Sequence, residues 1–314
     1  MKQSKFSLAD VLTLLTALAF GFICFLGKNF STLGNTSESI TWAAIITVSL
    51  AGTAFIAKLL KRTSRNFKTS FILEIGVLLL FTGLLVFFAY SPFPHYFNVS
   101  AKKTKIQDKL KISITKAENM FADYEQYAEN RKLNYQGQLE TAIATKLTGG
   151  DYVKYGFSDG IASDATQMRN KMFTIHADLY PTNYSDTASK NGIKEVATAW
   201  LARAKKTTKS WKPGIVNVVN DIESKSTDWL NQLISFSQRL EQGESRENTT
   251  VFPFPLTFTD VKKYFTTPGK PTPLSIGLAA VAYLLMLLSY LISKRSSKTM
   301  IGTTKQKGEY DIDF

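Results

Sequence analysis

The sequence predicts an all-α membrane protein with four transmembrane helices and a large extracytoplasmic helical-bundle domain inserted between the third and the fourth. Two observations predict this fold class. Four apolar stretches are each close to the roughly 20 residues that a helix needs to cross a bilayer, and the long polar stretch between the last two has helical periodicity. The predicted organisation is three transmembrane helices within residues 1–91, at about 8–27, 41–60 and 71–90, an extracytoplasmic domain at 92–273, a fourth transmembrane helix at 274–293 and a cytoplasmic tail at 294–314.

The basic residues near the ends of the spans predict how the chain is threaded through the membrane. Lys and Arg in short flanking segments resist translocation, so the flanks that carry them stay in the cytoplasm. Twelve basic residues fall on one side of the predicted spans, and the connection 28–40 on the other side carries only Lys28. The twelve are Lys2, Lys5, Lys58, Lys61, Arg62, Arg65, Lys68, Lys294, Arg295, Lys298, Lys305 and Lys307. We therefore expect both termini in the cytoplasm and residues 92–273 outside it.

The net charge of +13 does not indicate a nucleic-acid partner. Much of it lies on the cytoplasmic flanks, where anionic lipid headgroups are the usual partner, and no RNA- or DNA-binding signature accompanies it. Cys24 is the only cysteine, so no internal disulfide can hold the exposed domain. An exposed domain without a cysteine framework favours a bacterial inner membrane. A second interpretation of the first span, as a signal peptide cleaved at Ala17-Leu18-Ala19, stays open.

Apolar stripes with helical spacing run through the inserted domain. Residues three and four positions apart share one face of a helix, so each stripe predicts an amphipathic helix that packs against another. The stripes are Ile106, Leu110, Ile114, Ala117, Phe121 and Tyr124; Ile161, Ala165, Met168, Met172, Ile175 and Leu179; Ile193–Ala204; and Ile215, Val219, Ile222, Ser226, Trp229, Leu233, Phe236 and Leu240. Turn-forming residues at 148–151, 180–183 and 212–214 separate them. We expect a bundle of about four antiparallel helices, and a set of shorter, irregularly packed helices is the alternative.

Two segments rich in proline and aromatic residues flank the bundle. The first contains Pro92, Phe93, Pro94, Tyr96 and Phe97, and the second contains Phe252, Pro253, Phe254 and Pro255. Proline blocks the continuation of a helix, and aromatic rings are enriched at the bilayer interface. The segments are predicted either to form a neck that holds the bundle against the membrane or to be plain linkers.

Glu74 is the acidic residue that lies well inside a predicted span, about one turn from its cytoplasmic end. A carboxylate within hydrocarbon costs a few kcal/mol, so residues of this kind are functional candidates. At this depth Glu74 is within reach of the basic flank, and we expect an intramembrane ion pair with Lys58, or with Lys68. A role in coupling the movement of ions or protons is the alternative.

The sequence carries no convincing catalytic or metal-binding pattern. The segment 156–160 has the G-x-S-x-G spacing of a nucleophile elbow around Ser158, but no parallel sheet is predicted near it, so a turn that leads into a helix is favoured. His95 and His176 have no neighbours at metal-ligand spacing. We expect no cofactor, no metal and no enzymatic activity.

The chain ends in an acidic and aromatic sequence that follows a basic stretch. It is predicted either to dock on a cytoplasmic partner or to be a solvated end without a role. Its residues are Tyr310, Asp311, Ile312, Asp313 and Phe314.

The predicted function is that of a non-enzymatic integral membrane scaffold subunit. Its extracytoplasmic domain would bind partner proteins in an envelope-spanning assembly such as a secretion or motility apparatus. The expected partners are membrane lipids and other membrane or periplasmic proteins; a homo-oligomer stays open, and nucleic acid is excluded. The alternatives are a ligand-sensing receptor that signals through a separate cytoplasmic partner, because the cytoplasmic segments are too short for a signalling domain, and an oligomeric channel.

Overall fold

The computed structural model describes residues 7–63, 67–245 and 251–295, and all regular secondary structure within them is helical. The chain divides into two compact units. Residues up to 104 together with those from 262 onward form one, which we call the membrane unit, and residues 105–261 form the other, which we call the inserted unit. The segments 92–104 and 262–273, which we predicted as parts of the inserted domain, belong to the membrane unit.

Four helical segments of the membrane unit are long and apolar enough to cross a bilayer, which confirms the four predicted stretches. They are Leu8–Ser31 (α1), Thr36–Arg62 (α2), Phe67–Tyr90 (α3), and the pair Pro273–Met286 (α11) and Leu288–Ile292 (α12). Two short helices complete the unit, Phe93–Ala101 (α4) and Lys262–Thr266 (α10). Several helix starts follow from local chemistry. The Asn35 side chain accepts from the backbone N–H of Glu38 at the start of α2, and Thr272 accepts from Ser275 ahead of α11.

The core of the membrane unit is made by apolar side chains from α1, α2, α3, α4 and α11. Phe20 of α1 stacks on Phe93 of α4 with 4.4 Å between the ring centroids. The backbones of α1 and the turn before α4 also come close, because a Cβ on Gly27 would overlap the carbonyl oxygen of Pro92. A glycine is therefore needed at this point of α1.

The two proline- and aromatic-rich segments fall in different units. The first folds into α4, because Pro94 occupies the first turn of a helix, where a missing N–H costs no hydrogen bond. Its Phe93 is buried in the membrane unit, and Tyr96 stacks on Phe30 at 5.9 Å. The second segment is irregular and belongs to the inserted unit, where Phe252 is buried. The third span ends at Tyr90, just before Ser91-Pro92, so proline does block its continuation, and a separate helix begins at Phe93.

The described residues of the inserted unit, up to 245 and from 251 onward, contain four long helices and one short one. They are Lys103–Ala144 (α5), which begins at the boundary between the units, Asp151–Lys154 (α6), Asp164–Leu179 (α7), Ile193–Ser210 (α8) and Ile215–Ser237 (α9). Helix α9 packs against α7 and α8. Helix α5 meets α9 through Phe121, which faces Trp229 at 6.0 Å, and it meets the segment between α7 and α8 through Tyr124, which faces Tyr184 at 5.5 Å. The predicted antiparallel packing of about four helices and their extracytoplasmic position stay predictions.

The predicted stripes are buried to different extents. The stripe of α9 is buried from Ile215 to Phe236, including Ser226, whose hydroxyl has no hydrogen-bond partner among the described residues. In the α7 stripe only the C-terminal pair, Ile175 and Leu179, is buried. Ile161 precedes the helix and is 79% exposed. Met168 and Met172 are half-buried, so the N-terminal half of the α7 stripe is covered only in part.

Candidate functional site

A cluster of charged side chains joins the helices at one end of the membrane unit, where α1 and α3 begin and α2 and α12 end. Asp10 on α1 forms an ion pair with Lys58 on α2, and both side chains are only 4% exposed. The Asp10 carboxylate also accepts hydrogen bonds from the Ser289 hydroxyl on α12 and from the Ser7 backbone N–H, the latter at 2.8 Å. The pair is therefore surrounded by donors that satisfy its acid.

Glu74 finds its partners on α12 and just beyond it. Its Oε1 atom accepts from the Tyr290 hydroxyl at 2.6 Å and from Nη2 of Arg295 at 2.7 Å. Its Oε2 atom is buried and has no hydrogen-bond partner among the described residues. Lys61 joins this group, because its Nζ donates to the Tyr290 carbonyl at 2.8 Å and lies 4.3 Å from the centre of the Tyr290 ring.

The predicted Glu74–Lys58 pair is therefore wrong in its partners: the structure replaces it with two pairs, Asp10–Lys58 and Glu74–Arg295. The physical reason is that a helix apolar on all sides does not reveal in its sequence which face meets which neighbour. Asp10 was missed because it lies at the edge of its span, where an acid is ordinary as a helix cap. The signal that could have found it is the Ser7–Asp10 capping box at the start of α1.

This cluster holds helices together through ion pairs and hydrogen bonds. Asp10 is paired with Lys58 and Glu74 with Arg295, so each carboxylate has a counter-charge in a place where an isolated charge is costly. Next to it, α1 and α2 leave a cavity of about 270 Å³, walled mainly by apolar side chains such as Leu14, Ala51 and Phe55. The cluster ties the first two helices of the chain to the last one.

A second candidate site is an open groove of about 560 Å³ along α5 in the inserted unit, which we call the polar groove. Arg131 lies at its base, 6% exposed, and donates to the Ser237 carbonyl at 2.7 Å and to the Glu244 carboxylate at 2.7 and 3.1 Å. Burial opposes the charge of Arg131, but Glu244 outweighs it and raises the pKa of Arg131. The groove therefore has a rigid, charge-neutral base.

Glu241 lies three residues before Glu244 and is half-buried. Burial, together with a hydrogen bond and repulsion from the Asp178 carboxylate, raises the pKa of Glu241 to about 7 from its ordinary 4.5. Asp178 is also paired with Arg239 at 3.0 Å. This corner of the inserted unit therefore titrates near neutral pH.

A third candidate site, which we call the methionine groove, lies between α5 and α7 and has a volume of about 550 Å³. Leu133, Met168 and Met172 line it, and Leu133 is 65% exposed. Its edges carry charged residues of both signs, Glu129, Lys132 and Arg169. The sequence stripe of α7 already contained both methionines, but nothing in the stripe indicated that they would be only half-buried.

Three residues that the sequence analysis considered for catalysis or metal binding, Ser158, His176 and His95, lie in different parts of the fold. Ser158 is exposed in a turn before α7, where its N–H donates to Gln167 at 3.0 Å. His176 is exposed on α7, and His95 is buried with its Nε2 atom 2.6 Å from the Phe265 carbonyl. No group of three metal-ligating side chains occurs within 7–63, 67–245 and 251–295. The predicted docking residues 310–314 and the side chain of Lys68 lie outside what the structure describes.

Comparisons with protein-family models, with curated proteins and with solved structures gave no match to this chain. Its function is therefore argued from the two units and their grooves.

Proposed function

We propose that this chain is a non-enzymatic membrane scaffold subunit whose inserted unit lies on the extracytoplasmic side and binds a partner protein. The observation that carries the proposal is the methionine groove. The α7 stripe is buried by its own unit only at Ile175 and Leu179, whereas its other half opens into the groove. An apolar surface rimmed by charges is typical of a protein-binding site.

The chemistry of the methionine groove suits a helical segment of another protein. Methionine side chains are flexible and polarizable, so they adapt to the apolar face of a helix that lies in a groove. Glu129 and Lys132 on one edge form an ion pair at 3.0 Å, and Arg169 lies on the other side. A partner helix with apolar residues on one face and polar residues beside them would match this surface.

The orientation rests on the distribution of basic residues. Lys58, Lys61 and Arg295 all lie in the charged cluster at one end of the membrane unit. Because basic residues stay on the cytoplasmic side, that end faces the cytoplasm and the inserted unit faces the other side. Association with further membrane or periplasmic proteins, in a secretion or motility apparatus of the inner membrane, is part of the same proposal.

Partner binding is tested by affinity purification in mild detergent from the native host, followed by quantitative mass spectrometry. Met168→Glu places a charge in the methionine groove, and we expect recovery of the partner to fall at least tenfold. Val153→Glu is the matched control, because Val153 is 73% exposed on α6 and does not line the groove. Equal recovery with both variants, or no stable partner of the unaltered chain, would overturn the proposal.

The orientation is tested by labelling single cysteines in spheroplasts with a membrane-impermeant maleimide. Cys24→Ala removes the native thiol, and Thr187→Cys then places one thiol on an exposed loop of the inserted unit. We expect this thiol to react in intact spheroplasts, and a thiol from Lys294→Cys to react only after lysis. The opposite pattern would invert the proposed topology.

A ligand-sensing receptor is the second candidate, and the polar groove favours it. A concave surface with several polar side chains is a common form of ligand site. If this candidate is correct, the set of co-purifying partners changes when a ligand fills the groove. A scaffold keeps the same partners in both conditions.

A further inference from the structure

Four carboxamide side chains follow one another at every fourth position along α5, beside the polar groove. They are Gln126, Asn130, Asn134 and Gln138, which we call the carboxamide ladder, and all four are exposed. We propose that the carboxamide ladder binds an extended polypeptide segment through the backbone of that segment. This inference does not rest on the scaffold proposal, because it concerns the polar groove and not the methionine groove.

The ladder has unused hydrogen-bonding capacity. The side chains of Gln126, Asn130 and Asn134 make no hydrogen bond within the described part of the chain, and Gln138 accepts one from the Tyr155 hydroxyl at 3.1 Å, which leaves its NH₂ group open. A carboxamide carries an acceptor oxygen and two donor hydrogens on one flat group. It therefore complements the N–H and C=O groups of a peptide backbone, which also lie side by side.

The spacing of the ladder matches an extended chain. Four helical residues rise about 6.0 Å along the axis, and rows of residues four apart are inclined by about 26° to that axis. The distance from one rung to the next along the row is therefore about 6.7 Å. An extended strand repeats the same side of its backbone every two residues, which is about 6.6–6.8 Å. The two repeats stay in step over all four rungs, a length of about seven peptide residues.

The walls of the groove favour a peptide over a sugar. Sugars commonly stack on exposed aromatic faces, but of the three rings that line the groove Phe252 and Tyr135 are 4% and 1% exposed and Tyr127 is half-buried. Phe252 is held by ring contacts with Tyr124 at 5.3 Å and Tyr127 at 5.6 Å. Asp123, one turn before the ladder, offers an exposed carboxylate. We therefore expect an extended segment with a Lys or Arg at the end near Asp123.

The inference is tested with the full chain in detergent micelles and a fluorescein-labelled heptapeptide of one lysine followed by alternating serine and valine. Binding is followed by fluorescence anisotropy. We expect saturable binding that weakens at least tenfold in the double variant Asn130→Leu with Asn134→Leu. Asn231→Leu is the matched control, an exposed carboxamide on α9, and should bind within twofold of the unaltered chain. Circular dichroism checks that both variants keep their helical content.

A second peptide separates backbone recognition from side-chain recognition. It has the same side chains, but every second backbone nitrogen carries a methyl group, so those N–H donors are lost. We expect at least a tenfold loss of affinity. Equal binding of this peptide, no binding of either peptide, or ladder-dependent binding of a tetramer of N-acetylglucosamine in place of the peptides would each overturn the inference.

The two proposals fail in distinguishable ways. Met168→Glu should abolish recovery of the partner and leave heptapeptide binding unchanged, whereas the double ladder variant should do the reverse. If Met168→Glu removed heptapeptide binding, the assignment of the peptide to the ladder would be wrong.

Discussion

The buried Asp10–Lys58 pair makes a strong prediction about stability. Lys58→Met removes the ammonium and leaves the Asp10 carboxylate 4% exposed beside hydroxyl and backbone donors only. Breaking one side of a buried pair typically costs about 3–5 kcal/mol, because the remaining charge has no counter-charge. We therefore expect Lys58→Met to lower the free energy of unfolding by about this amount.

The double variant should recover most of that loss. Combining Lys58→Met with Asp10→Asn leaves no buried charge, while the Asn side chain still accepts from the Ser7 N–H. Replacing both partners of a buried pair is often close to neutral, so we expect the double variant within about 1 kcal/mol of the unaltered chain. The coupling energy between the two sites would then be about 2 kcal/mol or more, as expected for residues in direct contact.

The free energies are measured by unfolding the purified chain in mixed detergent micelles, with helical content followed by circular dichroism. The control is the Lys28–Glu38 pair of the same unit, at 2.8 Å, whose side chains are 24% and 41% exposed. Lys28→Met should cost less than about 1 kcal/mol, because water already screens that pair. If Lys58→Met costs no more than Lys28→Met, or if the two changes simply add, the account of the buried pair is refuted.

Three further predictions concern single residues. Ser226→Ala should stabilise the chain by about 1 kcal/mol in the same unfolding assay, since it removes a buried hydroxyl that has no described partner. Ser113→Ala is the control and should give no gain, because the Ser113 hydroxyl donates to the Lys109 carbonyl at 3.1 Å. Gly27→Ala should lower the free energy of unfolding by about 1–3 kcal/mol or prevent folding, because the added Cβ overlaps the Pro92 carbonyl oxygen. Gly83→Ala is the control and should be neutral or stabilising, because there is open space around its Cβ. If Gly27→Ala were tolerated, it would contradict the close approach of α1 to the turn before α4. Because the pKa of Glu241 is raised in the folded state, the native chain holds a proton between about pH 4.5 and 7 that the unfolded chain has lost, so the free energy of unfolding falls as pH rises through this window. Glu241→Gln should flatten that fall in melting curves recorded at pH 5 to 8. An unchanged slope would count against the raised pKa of Glu241.

The sequence predicted best those features that depend on local chemistry. The α9 stripe from Ile215 to Phe236 and the break at Pro213-Gly214 follow from helical periodicity and from turn residues, and both are confirmed. The four helices long and apolar enough to cross a bilayer are confirmed as well, since they depend on length and apolarity alone.

Features that depend on long-range packing could not be predicted. The partner of Glu74 comes from a residue 221 positions later, and nothing local in either segment specifies that contact. The burial of the α7 stripe likewise depends on which helix packs beside it, so the spacing of Met168 and Met172 does not predict that they are only half-buried. The four-residue spacing of the carboxamide ladder is visible in the sequence, but only the structure shows that these side chains lie beside a groove.

The bond between Arg295 and Glu74 also bears on the order in which the chain is made. At about 5–20 residues per second, a ribosome needs roughly 10 to 45 seconds to reach the guanidinium after it has made the carboxylate. During that interval α3 has to reside in the lipid while the Glu74 carboxylate still lacks the Arg295 guanidinium. The ribosome also has to make the whole of the inserted unit in that time. Until Arg295 has been made, lipid headgroups or the insertion machinery must interact with Glu74 in its place, and a nascent chain stopped before α11 lacks this partner of Glu74 permanently.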